Sequence, residues 1–228
     1  MVRYVQLPLV LFDLDNTLVD RRGTLAGWAA EFTAQHGLEH EDQANVLDMV
    51  AARANPSTFE TIRTRYRLPT STAELWHTYC TDIAAMVSCP AEVLDGLDEL
   101  RASGWRVGVA TNGAVDIQRA KLRATGISER VDGVFVSEEA DTRKPQTRHF
   151  ALAAARCGTV LGDGGWMVGD NPVTDIAGGR SAGLRTIWIG NGHTWPPDVP
   201  GPDHVVPHAR AAIDLLLLHS VDHTRTAA

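Results

Sequence analysis

Eight residues with chemically useful side chains or backbone amides follow short apolar segments of this 228-residue chain. They are Asp13, Asp15, Thr111, Asn112, Gly113, Lys144, Asp170 and Asp175. Asp13 and Asp15 are two residues apart on a predicted strand, so they face the same way and repel each other. A divalent cation or a lysine removes that repulsion, and oxygen ligands without histidine or cysteine favour Mg²⁺ over zinc. We therefore expect a magnesium site at Asp13 and Asp15, completed by Asp170 and Asp175.

The remaining residues of this set predict a phosphate-binding site. Lys144 supplies a compact positive charge that suits a phosphate group. The Thr111 hydroxyl and the backbone N–H groups of Asn112 and Gly113 can bind further phosphate oxygens at the start of a helix. Carboxylates, a metal ion and a lysine together favour phosphoryl transfer, in which positioning and charge neutralisation supply most of the catalysis.

Six short apolar segments predict the strands that position these residues. They are residues 9–15, 105–112, 133–138, 166–170, 184–190 and, more weakly, 204–206. Each is almost continuously apolar, which is typical of strands buried on both faces of a parallel sheet. Helices are predicted between them at 91–103, 115–125 and 146–157, and each stops before a glycine. This alternation predicts an α/β fold with a doubly wound parallel sheet, in which ligands bind at the carboxyl ends of the strands.

The stretch from residue 19 to residue 88 carries no strand signal, although a crossover between parallel strands needs only a dozen or more residues. Its pattern predicts helices at 25–36, 41–54, 57–67 and 72–87. We predict an α/β core made of residues 1–18 and 89–228, with an all-helical domain, residues 19–88, inserted after the first strand. Arg21 and Arg22 would lie at its hinge, where either could reach a substrate.

The composition limits the class of protein, the binding partners and the cellular compartment that we expect. Hydrophobic residues make up 44% of the chain and charged residues 21%, which is an ordinary globular balance. The net charge of −7 argues against general binding to nucleic acid or to an anionic membrane. Three cysteines without a C-x-x-C pair favour neither a disulfide framework nor a zinc site, so we expect a cytoplasmic protein. The oligomeric state is left open.

Four segments, in this order along the chain, resemble the motifs of the haloacid dehalogenase (HAD) superfamily. They are Asp13-Leu14-Asp15-Asn16-Thr17, Thr111-Asn112-Gly113, Lys144-Pro145, and Gly169-Asp170 with Asp175 five residues later. The helical insertion resembles the helical C1 cap of that superfamily, and the resemblance covers the whole chain. It implies a Rossmann-like HAD core with a cap and an enzyme of the phosphatase type.

The resemblance implies a role for each catalytic residue. Asp13 would be the nucleophile that attacks phosphorus and becomes an aspartyl phosphate. Asp15 would protonate the leaving oxygen and then activate water. Thr111 and Lys144 would hold the phosphoryl group. Members that displace halide lack an aspartate at the position of Asp15, because halide needs no proton, so its presence favours hydrolysis of a phosphate ester.

The same resemblance implies how Mg²⁺ would be held. The Asp13 carboxylate, the Asp15 backbone carbonyl and Asp170 would bind the ion, and Asp175 would support that shell directly or through water. One loop departs from the family pattern, because Asp141 stands where similar sequences often have glycine. This departure concerns the shape of the loop that carries the lysine.

The expected function is Mg²⁺-dependent hydrolysis of the phosphate monoester of a small metabolite, and two alternatives stay open. A phosphomutase would return the phosphoryl group to its substrate, and the sequence hardly separates it from a phosphatase. A receiver-like phospho-acceptor module also combines a phosphorylatable aspartate, a threonine and a lysine. Receivers are about half this length and have no helical insertion after the first strand, so this alternative is the weaker one. The sequence does not indicate the substrate itself.

Overall fold

The computed structural model describes residues 8–161 and 164–225, apart from the side chains of residue 53 and of residues 220–225. Its strands are β1 (Leu9–Phe12), β2 (Arg106–Thr111), β3 (Gly133–Val136), β4 (Gly165–Gly169), β5 (Arg185–Ile189) and β6 (His204–Val206). They form one parallel sheet in the order β3-β2-β1-β4-β5-β6. The predicted α/β fold is therefore confirmed, and each of the six predicted strands is present.

The central position of β1 explains how distant motifs meet. All four residues of β1 are buried, as their continuous apolar sequence requires. Phe12, the last of them, lies opposite Val109 of β2 on one side and Val168 of β4 on the other. The segments that follow these three strands therefore emerge side by side at one edge of the sheet.

Nine α-helices are found within residues 8–161 and 164–225. They are α1 (Arg21–Gln35), α2 (Asp42–Arg53), α3 (Pro56–Arg65), α4 (Thr72–Met86), α5 (Ala91–Ala102), α6 (Val115–Ala124), α7 (Thr147–Arg156), α8 (Gly178–Ser181) and α9 (Ala209–Arg225). A 3₁₀ turn at Ser137–Ala140 and a π-helical turn at Pro172–Ala177 complete the set. None of the described helices is both long enough and apolar enough to cross a membrane.

Helices α1 to α4, here called the helical insertion, follow β1 and share an apolar cluster. Trp28 and Trp76 are both buried in it. Capping boxes at Asn55 and Ser71 satisfy backbone N–H groups at the starts of α3 and α4. Ile117 of α6 joins the same cluster, so the insertion packs against the helix that follows β2. The division into a core and a separate domain at residues 19–88 stays a prediction.

Helix α9 was not predicted. In the structure Ala212, Ile213 and Leu216 form a fully buried stripe, and α9 packs against α5. The stripe has helical spacing, but the added leucines Leu217 and Leu218 obscure it in the sequence.

Candidate active site

A cavity of about 480 Å³ opens where the segments after β1, β2 and β4 meet the helical insertion. Seven of the eight residues identified in the sequence line it: Asp13, Asp15, Asn112, Gly113, Lys144, Asp170 and Asp175. The eighth, Thr111, is 1% exposed and is not part of the lining among the described residues. Ala51 and Tyr79 bring α2 and α4 of the insertion to the same cavity. The fold therefore gathers the predicted site in one place.

Lys144 binds two carboxylates at this cavity. Its Nζ lies 2.5 Å from Asp13 Oδ1 and 2.8 Å from Asp175 Oδ1. Burial opposes the charge on the lysine, yet the two carboxylates hold the pKa of Lys144 above its ordinary value. Burial raises the pKa of Asp13 well above its usual range, against the attraction of Lys144 and with the help of nearby acids. Lys144 alone therefore does not neutralise the acids gathered around Asp13.

Three carboxylates lie close enough together to share a metal ion. One oxygen atom each of Asp13, Asp170 and Asp175 lies within 4.8 Å of the other two. Burial, followed by repulsion from Asp175, raises the pKa of Asp170 to about 6. A divalent cation would relieve this repulsion, and a donor set of oxygen atoms suits Mg²⁺. The residues present therefore fit the ion that the sequence predicts.

Asp15 belongs to a different network of charges and hydrogen bonds. Lys121 Nζ lies 2.7 Å from Asp15 Oδ1, and Arg21 Nε lies 3.7 Å from Asp15 Oδ2. Gln118 Nε2 donates to Asp15 Oδ2 at 3.3 Å and to Thr111 Oγ1 at 2.6 Å. Burial would raise the pKa of Asp15, but Lys121 and Arg21 lower it overall. The Asp15 carboxylate is thus held by α6 and α1, whereas Lys144 holds Asp13.

Asn112 fixes the backbone on either side of the Lys144 side chain. Its Nδ2 donates to the Lys144 carbonyl oxygen at 3.1 Å, and its Oδ1 accepts from the Lys144 N–H at 2.9 Å. The Gly113 N–H donates to Ser137 Oγ at 3.0 Å, a bond that a phosphate oxygen would have to replace. The phosphate-binding roles of Thr111, Asn112 and Gly113 stay predictions.

The turn after β4 places Asp175. The side chain of Asn171 accepts from the N–H groups of Val173 and Thr174 at 3.0 and 2.9 Å, which starts the π-helical turn. Asp175 Oδ2 then accepts from the Asn171 N–H at 3.0 Å. Gly169 leaves room for this arrangement, because a Cβ atom there would overlap the Asp175 side chain. A glycine at this position is therefore required by the placement of Asp175.

Arg21 and Arg22 both line the cavity from the start of α1. Arg21 Nη2 donates to the carbonyl oxygens of Val50 and Ala51 at 3.1 and 2.9 Å. Arg22 Nη2 lies 4.0 Å from Asp170 Oδ2. Contact of either arginine with a substrate stays a prediction.

Three residues that shape the site were missed in the sequence: Tyr79, Gln118 and Lys121. Gln118 and Lys121 are buried on the same face of α6 as Ile117 and Leu122. Polar side chains on the apolar face of a helix are rare, and this was the signal that could have found them. Tyr79 gave no such signal, because an aromatic residue among apolar neighbours is ordinary core.

The chain matches a family of known proteins over most of its length. Residues 10–189 match the family described as haloacid dehalogenase-like hydrolase. The N-acetylmuramic acid 6-phosphate phosphatase of Pseudomonas aeruginosa is 28% identical, over 94% of this chain and 97% of that protein. The phosphoserine phosphatase of Thermus thermophilus is 38% identical, over 42% of this chain and 38% of that protein, so this match spans less than half of either.

A solved structure supports the same relationship at the level of the fold. The HAD-hydrolase YfnB of Bacillus subtilis, described as bound to magnesium, aligns with a TM-score of 0.72. The two chains are 19% identical, and the alignment covers 92% of this chain and 99% of that one.

Proposed function

The chain belongs to the haloacid dehalogenase-like hydrolases and is an enzyme of their phosphatase type, and we propose that it hydrolyses the phosphate monoester of a small metabolite through an aspartyl phosphate, with Mg²⁺ as cofactor. One observation carries this proposal. Asp13 and Asp15 line the same cavity but are bound to different cations, Lys144 and Lys121. Two carboxylates in different surroundings can perform different chemical tasks.

In the first step, Asp13 acts as the nucleophile. A carboxylate oxygen of Asp13 forms a bond to phosphorus, and the bond from phosphorus to the ester oxygen breaks. The Asp15 carboxylate takes up a proton when the negatively charged substrate phosphate binds beside it, and it gives this proton to that oxygen, so the product leaves as an alcohol. Lys144, 2.5 Å from Asp13, offsets negative charge on the carboxylate and on the incoming phosphate.

In the second step, Asp15 acts as a base. Its carboxylate takes a proton from water as the water oxygen forms a bond to phosphorus. The bond from phosphorus to Asp13 breaks, which releases inorganic phosphate and restores the Asp13 carboxylate. Asp15 is protonated at the end of this step, and it returns to the carboxylate form when phosphate leaves.

Asp13, Asp170 and the backbone carbonyl of Asp15 would hold Mg²⁺, and Asp175 would support them. When bound, the ion supplies positive charge that stabilises the phosphoryl oxygens during transfer. Asp175 is held in place by Lys144 and by the Asn171 N–H, so it also fixes the position of the lysine. A cytoplasmic location is part of the proposal and is supported by the small number of unpaired cysteines.

A panel of phosphorylated small metabolites, incubated with Mg²⁺ and scored by release of inorganic phosphate, tests this proposal. We expect release from at least one compound by the wild type and none by Asp13→Asn. A phosphorylated isomer of the substrate, formed without free phosphate, would identify a phosphomutase instead. Equal release by wild type and Asp13→Asn would overturn the assignment of the nucleophile.

A further inference from the structure

Cationic side chains are concentrated around Asp15 in a protein whose net charge is −7. Lys121 and Arg21 both lie within 4 Å of the Asp15 carboxylate, which carries a single negative charge. Lys121 is 4% exposed and lines the cavity. The wall on this side therefore has more positive than negative charge before any substrate enters.

Tyr79 supplies a free hydrogen-bond donor on the same wall. Its side chain is buried, with 2% exposure, and it lines the cavity. No hydrogen bond of its hydroxyl to another described residue is found, so a ligand in the cavity can accept from it. Burial raises the pKa of Tyr79, so the hydroxyl keeps its proton and can donate it to an acceptor.

This wall faces the leaving alcohol of the substrate. The proposed function places the ester oxygen within hydrogen-bond distance of Asp15. Since Lys121 Nζ is 2.7 Å from Asp15 Oδ1, the ammonium group lies no more than about 8 Å from that oxygen. A carboxylate one or two carbon atoms beyond the ester oxygen spans much of this distance and can reach Lys121.

We infer that Tyr79 and Lys121, with Arg21, form a subsite for an anionic group on the leaving alcohol. The substrate class is then a phosphate monoester of a short hydroxy acid, with its carboxylate one or two carbon atoms from the ester oxygen. Tyr79 donates its hydroxyl proton to the carboxylate, and Lys121 pairs with it while remaining in contact with Asp15. The inference rests on the proposed function, which sets the orientation of the substrate in the cavity.

Binding of two non-hydrolysable phosphonates, measured by calorimetry in the presence of Mg²⁺, tests this subsite without turnover. 3-Phosphonopropionate carries a carboxylate at the required distance, and propylphosphonate has a methyl group in its place. We expect the wild type to bind 3-phosphonopropionate about tenfold more tightly or better, the range of one charge-assisted hydrogen bond. Tyr79→Phe and Lys121→Met should each lose at least about threefold of that preference.

Arg123→Met is the matched control, because Arg123 is an exposed cation on the same helix and does not line this cavity. Its preference should equal that of the wild type. Circular dichroism melting shows whether each variant is folded, and Tyr79→Phe removes only one oxygen atom. Equal affinity of the wild type for both phosphonates, or an unchanged preference in both cavity variants, would overturn the subsite. Failure of the proposed function is a separate result, namely no release of phosphate from any ester.

A kinetic comparison separates binding from mere positioning of Asp15. Phosphoglycolate and 2-hydroxyethyl phosphate differ mainly in the carboxylate of the leaving alcohol. If the subsite binds the carboxylate, Tyr79→Phe should raise KM for phosphoglycolate more than for the neutral ester. Equal losses of kcat for both esters, without a change in their KM ratio, would mean that these residues only orient Asp15 and would contradict the inference.

Discussion

Asp15 and Lys121 form an ion pair with 2.7 Å between Oδ1 and Nζ, although the two residues are 106 positions apart in the sequence. The pair joins the loop after β1 to helix α6. It also keeps the Asp15 carboxylate apart from Lys144, which is bound to Asp13. Two aspartates with one residue between them thus have different partners, and this difference underlies the separate roles proposed for them.

Those roles predict that the effect of Asp15→Asn depends on the leaving group. An alkyl phosphate needs a proton on its leaving oxygen, whereas p-nitrophenolate is already a stable anion. General acid catalysis is typically worth about 10² to 10⁴ in rate, so the first step should slow by that much for the alkyl ester and far less for p-nitrophenyl phosphate. Rapid-quench kinetics on both esters measures the two losses. Equal losses would remove Asp15 from the role of acid.

Removal of divalent metal should abolish activity. The three-carboxylate group of Asp13, Asp170 and Asp175 needs a cation to offset its charge, and Lys144 alone is insufficient. Dialysis against EDTA should therefore stop turnover, and added Mg²⁺ should restore it. Asp170→Asn should shift the Mg²⁺ concentration needed for half-maximal rate upward by about tenfold or more, since one charged ligand is lost.

Asp214→Asn serves as the control for this titration. Asp214 is an exposed acid on α9 that pairs with Arg210, so its loss should leave the Mg²⁺ dependence unchanged. Full activity after exhaustive chelation would rule out the proposed cofactor.

Gly169→Ala, a substitution at the end of β4, should displace Asp175 and lower activity. The new Cβ atom would overlap Asp175, and the Asp175 carboxylate cannot move without leaving Lys144 and the Asn171 N–H. We expect kcat to fall by about 10²-fold, the typical cost of misplacing groups at a reacting centre by about 1 Å. Gly201→Ala is the matched control, because no atom lies within 4 Å of a Cβ at that position. Wild-type kcat in Gly169→Ala would show that Asp175 has more freedom than the structure indicates.

His149 predicts how stability depends on pH. It is fully buried, its Nδ1 donates to the Thr142 carbonyl oxygen at 3.0 Å, and no partner of Nε2 is found among the described residues. Burial lowers the pKa of His149 to about 4. The unfolded chain therefore takes up the proton first as the pH falls, so the stability linked to this group is complete above about pH 6.5 and is lost progressively towards pH 4.

Urea unfolding between pH 4.5 and 7.5 measures this contribution. The full loss at this group amounts to about 3 kcal/mol, and other acids add to the slope of the wild type. His149→Gln keeps a donor for the Thr142 carbonyl but does not titrate, so its free energy of unfolding should fall less steeply as the pH is lowered. The same slope in both proteins would contradict a neutral, buried His149.

The sequence was sufficient to predict the sheet and the edge of the sheet at which seven of the eight selected residues line one cavity, because both depend on local patterns. Continuous apolar segments mark buried parallel strands, and residues directly after such strands must meet at one edge of the sheet. Lys121 stands out as a polar residue on the apolar face of α6. Its position at the cavity, like that of Tyr79, depends on how α6 and α4 pack, and no short-range pattern encodes that packing.

The loop before Lys144 shows how a departure from a family pattern can be accommodated. Asp141 adopts φ 45° and ψ 42°, the left-handed region that favours glycine. Aspartate is one of the few other residues that enter this region readily. The resemblance indicated a glycine-like position, and the structure places Asp141 in the conformation that such a position requires.

The most direct test of the account is to identify the residue that carries the phosphoryl group. Asp15→Asn should form the aspartyl phosphate from p-nitrophenyl phosphate but break it down slowly, because the base for water is lost. Quenching this variant during turnover and reducing it with borohydride would convert an acyl phosphate at Asp13 to homoserine, which peptide mass spectrometry detects. The account predicts homoserine at position 13 and an unmodified Asp13 in protein not exposed to substrate. Homoserine at another aspartate, or a phosphoryl group on a histidine or serine, would contradict it.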